Sequence, residues 1–168
     1  MFLFKKSSRM QRKQFVEEKM KEAVFGKKEE GKNYKARYGA YIVIHRQDKK
    51  EVILVQAPNG AFFLPGGEIE KEETHAETIT REMLEELGFS VQIGAYLGEA
   101  KEYFYSSHRD TYFEHPGYFY VADQWEKISD PTEKTNQLYW VTPDDAMLLL
   151  KRGSHRWALQ KWMKHNYL

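Results

Sequence analysis

The sequence has no cysteine, which excludes disulfides, thiolate metal sites and a cysteine nucleophile and agrees with a reducing, cytoplasmic setting. It lacks any apolar run near the ~18–20 residues that span a bilayer. Met1-Phe2-Leu3-Phe4 meets Lys5-Lys6 at once, too soon for the apolar core of a secretion signal, so neither membrane anchor nor leader is expected. Charge of one sign is missing as well. Lys and Arg number 26 against 25 Asp and Glu, a formal +1, which exerts no overall pull toward nucleic acid or anionic membrane. There is no P-loop to cradle phosphate, no Ser-His-Asp constellation and no zinc-like histidine spacing. Internal repeats and low-complexity tracts are absent too.

What is present fills 168 residues, enough for one domain with its own core plus a modest extension. Residues 1–32 differ from the rest: ten Lys and Arg against five Glu give this segment a surplus of +5. It reads as a basic N-terminal extension with one amphipathic helix over Ser8 to Phe25, ahead of a folded domain at 33–168. Such a charged arm is most simply a solvated or docked extension, with a nucleic-acid or membrane arm as the alternative.

From Tyr38 the pattern becomes that of strands and turns. Tyr38 to Ile44 is an apolar, β-branched run ending in the polar turn His45–Lys50, and Val52 to Gln56 is a second strand. Asn59-Gly60 marks a tight turn, after which Ala61 to Leu64 returns as a strand. Further strands are expected at Ser90–Gly98, Lys101–Tyr105 and Gly117–Ala122, with the polar loop Ser106–Asp110 between the last two, and at Leu138–Val141. Thr142 caps a helix that Pro143 starts. Gly153 breaks that helix, Ser154 caps another, and Trp157, Leu159 and Trp162 give the last one an apolar side. Strands around a central helix with helices at the end define a mixed α/β domain.

That central helix carries the chemistry. Pro65-Gly66-Gly67 reads as a turn that frees the backbone for close approach to a ligand. Thr74 and Glu77 form a capping-box pair, and Gly88 stops the helix. Ala76, Ile79, Thr80, Met83, Leu84 and Leu87 fall on one side, the expected core face. Glu82, Glu85 and Glu86 cluster on another sector at spacings where like charges repel by roughly 0.2–0.5 kcal/mol per pair. Three carboxylates so placed ask for a compensating cation, and an all-oxygen set suits Mg²⁺ or Mn²⁺ better than zinc. Arg81, four residues before Glu85 and four after Glu77, is placed to pair with and orient such carboxylates.

Gly67, Glu73, Arg81, Glu82, Met83, Glu85, Glu86, Gly88 and Phe89 together resemble the Nudix box, Gly-x5-Glu-x7-Arg-Glu-U-x-Glu-Glu-x-Gly-U with U a bulky apolar residue, as in MutT-like hydrolases. Every fixed position is filled. Glu72 and Thr78 stand where the family often has glycine and alanine, a matter of loop detail. The resemblance implies an α/β/α sandwich with a mixed sheet over residues 33–168, and hydrolysis of a nucleoside diphosphate linked to another moiety. It implies that Gly67 (through its carbonyl), Glu82, Glu85 and Glu86 bind Mg²⁺, with Mn²⁺ as a substitute. Glu82, Glu85 and Arg81 are then the catalytic group, and Glu73 supports the loop or the metal. The family varies in which carboxylate acts as general base, and a later loop is another source of one.

Substrate choice lies outside the box. Arg37, just before the first core strand, is placed to reach a phosphate. His108 and Arg109 sit in a loop where family members often contact substrate. Tyr103, Tyr105 and Phe62 are candidates for stacking on a base, although strand aromatics more often pair across a sheet. Glu102 and Glu114 are candidate additional carboxylates. The expected partner is a small nucleotide: a nucleoside triphosphate, a dinucleoside polyphosphate or a nucleotide sugar. An RNA 5′ end is the second reading, a non-catalytic nucleotide-sensing module the third. Homodimers are common in the family.

Overall fold

The computed structural model of the chain describes residues 23–46, 48 and 50–166, together with Met10, Arg12 and Lys13. In chain order these form β1 (Ala23–Phe25), β2 (Tyr34–Ala36), β3 (Gly39–Val43), β4 (His45–Arg46), β5 (Glu51–Gln56), β6 (Phe62–Phe63) and β7 (Gly66–Glu68). Helix α1 (His75–Leu87) follows, then β8 (Phe89–Ser106), β9 (Thr111–Lys127), β10 (Gln137–Val141), α2 (Pro143–Leu149) and α3 (Gly153–Asn166).

Strands β3 and β5 read as continuous apolar runs because both their faces are covered. Ala40 and Ile42 of β3 and Ile53 and Val55 of β5 pack with Ile79, Met83 and Leu87 of α1. The alternate residues Val43, Val52 and Leu54 pack on the other side with Ala146, Leu150, Leu159 and Trp162 from α2, its C-cap and α3. Each Val, Leu, Ile or Met among them contributes roughly 1.5–3 kcal/mol on burial, far more than the repulsion among the glutamates of α1. One sheet runs β1-β8-β9-β3-β7 with β2 also on β9, and the other runs β10-β5-β4 with β6 on β5. Strand β9 is parallel to β3 and antiparallel to β8. The architecture is the expected α/β/α sandwich with a mixed sheet.

Several local expectations are revised. The helix expected over Ser8 to Phe25 lies mostly outside the described residues. Met10, Arg12 and Lys13 are helical, but Ala23–Phe25 is the strand β1, parallel to β8 with Ala23 opposite Ala100. Phe25 turns inward against Gly153, where an added Cβ would come within 2.6 Å of its ring. The two strands expected at Ser90–Gly98 and Lys101–Tyr105 are one long strand, β8, which stays paired with β9 through register shifts between Gln92 and Gly98. Those bulges bend the strand without ending it. Pro65-Gly66-Gly67 is not a turn: Gly66 and Gly67 belong to β7, antiparallel to β3. Ser154 does not cap α3 with its own hydroxyl. Instead the Glu102 carboxylate of β8 accepts from Gly153 N (3.0 Å) and Ser154 Oγ (2.8 Å). Glu102 is thus a buried cap for a positive helix end, not a site carboxylate.

Candidate active site

The two glycines of β7 owe their identity to close approach. Gly66 has φ 139°, and a Cβ there would lie 2.2 Å from the Ala40 carbonyl oxygen. At Gly67 the obstacle is a side chain of α1, since a Cβ would meet Glu82 Oε1 at 2.2 Å. The backbone of β7 and the carboxylates of α1 therefore press directly on each other.

Helix α1 begins as its sequence dictates. Thr74 Oγ1 accepts from Glu77 N, and Glu77 returns a carboxylate to Thr74 N at 2.7 Å. Its buried face differs from the expected one. Thr78, Ile79, Met83, Glu86 and Leu87 are buried, while Ala76, Thr80 and Leu84 are exposed. The helix is rolled so that Glu82 and Glu86 turn toward β7, a rotation that apolar periodicity alone does not reveal.

Arg81 gathers the acidic groups. Its Nε and Nη2 fork onto Glu73 at 2.7 and 3.0 Å, and Nη2 also donates to the Glu68 carbonyl at 3.0 Å. Nη1 bridges Glu82 at 3.0 Å and Glu85 at 3.1 Å. Glu73 accepts further bonds from Thr78 Oγ1 and Glu70 N. The Arg81 bonds hold the Glu73 carboxyl down at about 2, and Glu73 in turn raises the pKa of Arg81. Glu86 is held from two sides, by Gly66 N at 2.9 Å and Asn136 Nδ2 at 3.2 Å. Burial pushes its pKa up to about 8 and that of Glu82 upward as well. Burial thus disfavours the ionised form of both.

Sequence reasoning missed Asn136 and Glu133. Both lie on the loop between β9 and β10, which is stitched to the end of α1 by Ile128 N and Ser129 N on the Gly88 carbonyl and by Glu133 N on the Glu85 carbonyl at 2.8 Å. The Glu133 charge adds to the upward shifts of Glu82 and Glu86. No spacing in the sequence links this loop to the helix.

Beside Gly67 and Glu86 opens a cavity of ≈ 240 Å³ that Arg37, His115 and Arg152 also line, as does Tyr41, opposite Gly66 in the β3–β7 pair. Tyr41 Oη and His115 Nε2 lie 2.9 Å apart. Burial raises the Tyr41 pKa to about 12 and lowers that of His115 to about 3, so the pair is neutral across physiological pH. Arg37 lines the cavity and donates to Glu68 at 3.0 Å. Arg109 shares the Phe113 ring with Arg37, at 6.0 and 5.8 Å from its centroid.

The remaining substrate candidates do not line this cavity. Tyr103 packs edge-on against Tyr34 and points at Glu114 (3.4 Å); Tyr105 donates to Asp110 at 2.5 Å; His108 is exposed in the β8–β9 turn. Phe62 packs edge-on with Tyr139, and Glu114 pairs with Lys101 at 3.0 Å. His115 and Arg152 were not foreseen. Only distant pairing brings His115 from mid-β9 and Arg152 from before α3 to one wall.

The carboxylates can be tested against a hard divalent cation. Among the described residues no three Asp, Glu or His side chains converge as a ready cation cage, for Arg81 Nη1 bridges two of the three. The donor chemistry nevertheless fits. Glu82 lies against the Gly67 backbone, and buried Glu86 with its raised pKa is a group whose charged form a cation would stabilise. All these donors are oxygens, as Mg²⁺ and Mn²⁺ prefer.

A NUDIX domain model matches residues 35–164, and the chain belongs to the Nudix family. It is by class a Nudix pyrophosphohydrolase, a hydrolase of nucleoside-diphosphate-linked compounds, and Nudix hydrolases generally use divalent metals. No curated protein matches the chain. Among solved structures, MutT NUDIX hydrolase from Burkholderia pseudomallei is similar at 24% identity and TM-score 0.59, covering 76% of this chain and 98% of its own. The mutator MutT protein from Bacillus halodurans is 21% identical with TM-score 0.60, covering 74% and 80%. The E. coli ORF135 protein is 18% identical with TM-score 0.59, covering 78% and 91%. These likenesses are of fold. Among the described residues no helix is long and apolar enough to cross a membrane.

Proposed function

We propose that the chain is a Mg²⁺-dependent pyrophosphohydrolase of a small nucleotide: a nucleoside triphosphate, a dinucleoside polyphosphate or a nucleotide sugar. The observation that carries this reading is the Arg81-ordered set of Glu73, Glu82 and Glu85, facing the Gly67 backbone at the mouth of a cavity whose other wall holds Arg37. Glu82, Glu85 and Glu86, with the Gly67 carbonyl, would hold Mg²⁺. Bound there, the ion supplies Lewis-acid polarisation of phosphate oxygens and activation of water.

The protein's own groups do the rest. Arg81 fixes the carboxylates at mutual distances they would not keep alone, so little reorganisation is needed at reaction. Gly66 N and Asn136 orient Glu86. A carboxylate among Glu82, Glu85, Glu86 and Glu133 accepts the proton of the water that attacks phosphorus. Arg37, and Arg109 through the shared Phe113 ring, draw phosphate toward the cavity.

The test measures phosphate, pyrophosphate and nucleotide release from nucleoside triphosphates, dinucleoside polyphosphates, nucleotide sugars and 5′-triphosphate RNA, with and without Mg²⁺. Glu85→Gln serves as control. Metal-dependent turnover of one class, reduced at least ~100-fold by Glu85→Gln in a protein that still melts like the parent, supports the reading. Near-parental turnover in the variant removes Glu85 from the site. Silence across the panel with nucleotide still bound makes the chain a sensing module.

A further inference from the structure

Arg152 is a charged side chain that the hydrolytic machinery does not use. Its guanidinium carbon sits 3.6 Å from the centre of the Phe104 ring and 5.4 Å from that of Phe63, and it lines the cavity opposite Glu86. Its Nη1 is sealed from solvent and has no hydrogen-bond partner. Among the described residues Arg152 makes no carboxylate ion pair. The acid in its electrostatic reach, Glu102, already spends one oxygen on Gly153 N and the other on Ser154 Oγ. Burial and the like charge of Arg37 both work against its ionised state. A buried guanidinium donor left unpaired is among the more costly things a fold can keep, and aromatic stacking offsets this only in part.

We propose that Arg152, with Arg37 and Arg109 leading outward from it, forms an anion subsite for the substrate group that lies across the cavity from α1. The group taken there is a phosphate chain or phosphorylated moiety rather than a neutral sugar. This rests on the pyrophosphohydrolase reading and narrows it.

The wall selects charge over base shape. Among the described residues Glu86 is the sole acidic side chain lining the cavity, and it belongs to the opposite side. The Tyr41 hydroxyl is engaged with His115 Nε2, while His115 Nδ1, like Arg152 Nη1, is buried without a partner; of these two unpartnered groups the guanidinium is the charged one. Phe104 and Phe113, 5.5 Å apart, carry Arg152 on one ring and Arg37 and Arg109 on the other. Two adjoining rings thus gather three guanidiniums, Arg152 and Arg37 lining the cavity and Arg109 exposed outside it, a charge set suited to phosphate. The cavity's ≈ 240 Å³ is below the ~300–1,000 Å³ of pockets that enclose a whole ligand, so it receives only part of the substrate.

Arg152→Met keeps the stem over Phe104 and removes the charge; Arg152→Lys keeps a charge without the fork. Steady-state kinetics are compared on ATP and on ADP-glucose, whose second group is neutral. The expected result is a parent that prefers ATP. In Arg152→Met the kcat/KM ratio of ATP to ADP-glucose falls about 10- to 100-fold, chiefly through KM, and Arg152→Lys is intermediate. A parent that prefers ADP-glucose, or a ratio unchanged in Arg152→Met, overturns the subsite while leaving the hydrolase reading intact. If Arg152→Met does not fold, the same ratio in Arg152→Lys decides. If the parent hydrolyses neither compound, the wider substrate panel and not this ratio decides the hydrolase reading. Calorimetry with inorganic tripolyphosphate and Mg²⁺ then decides the subsite: binding weakened at least ~10-fold by Arg152→Met sustains it, and absent or unchanged binding overturns it.

Discussion

Substituting alanine at two adjacent glycines should separate folding from catalysis. At Gly67 the new Cβ would meet Glu82 Oε1 at 2.2 Å and Cδ at 2.4 Å. The carboxylate must then retreat by about 1 Å to regain ordinary contact. Only the far end of a flexible side chain has to move, so the cost to folding is small. A displacement of ~1 Å in a catalytic group costs about 100-fold in rate, or roughly 2.7 kcal/mol. At Gly66 the Cβ would come 2.2 Å from the Ala40 carbonyl oxygen and 2.7 Å from Tyr41 Cα, with φ at 139°. Here the obstacle is backbone in a paired strand. Strain of ~1–3 kcal/mol adds to overpacking of ~1–3 kcal/mol, and for a chain of this size the melting temperature should fall by roughly 5–20 °C. Circular dichroism melts and hydrolysis rates, taken where all variants are folded, read the two effects apart. Gly67→Ala with parental turnover, or with a loss of stability matching Gly66→Ala, would refute the claim that Gly67 is kept for Glu82.

Three further outcomes are expected. Glu102→Ala strips the cap from α3 and leaves Gly153 N and Ser154 Oγ buried without an acceptor, so urea titration should show a loss of about 1–3 kcal/mol, with Glu102→Gln in between. His115 and His155 are buried neutral, their pKa values lowered by burial and by Arg152, to about 3 for His115. Folded pKa values below the unfolded ~6.5 mean that the unfolded chain binds more protons between them. Stability is therefore full above pH ~6.5 and falls as pH drops toward 3, by on the order of 1 kcal/mol per pH unit for each histidine. His115→Gln should flatten that slope in urea titrations from pH 7 to 4, and an unaltered slope would count against the assignment. Deleting residues 1–22 should spare hydrolysis, whereas deletion through Phe25 removes β1 from β8 and lowers the melting point.

The parts legible in the sequence were those fixed by short-range rules. The Thr74–Glu77 capping box, the Gly88 stop, the Thr142 cap and the Asn59-Gly60 turn each depend on residues within a few positions of one another. The central strands were legible because burial on both faces leaves an unbroken apolar run at β3 and β5. Three things were not. The roll of α1 depends on β7 pressing Glu82 from outside the helix, which no wheel contains. The role of Glu102 depends on β8 meeting α3 some 51 residues later. Of the cavity's far wall only Arg37 was a candidate from the sequence; His115 and Arg152 join it from two other elements, and neither has a spacing that distinguishes it from a surface or core residue.

The two walls of the cleft also have different origins in the chain. Gly67, Glu82 and Glu86 come from one contiguous stretch, β7 and α1, ordered within it by Arg81 and Glu73 and tied at Glu86 to Asn136 of the β9–β10 loop. The facing wall draws Arg37 from the chain before β3, His115 from the β8–β9 hairpin and Arg152 from the approach to α3, and the Arg37–Glu68 pair joins it to that stretch. Changes in the hairpin or in the residue ahead of α3 can therefore alter the lining of the cleft without disturbing the carboxylates of α1. Selection can work on substrate choice and on hydrolytic power as nearly independent traits, and a new specificity can be reached by single steps that each leave a working enzyme.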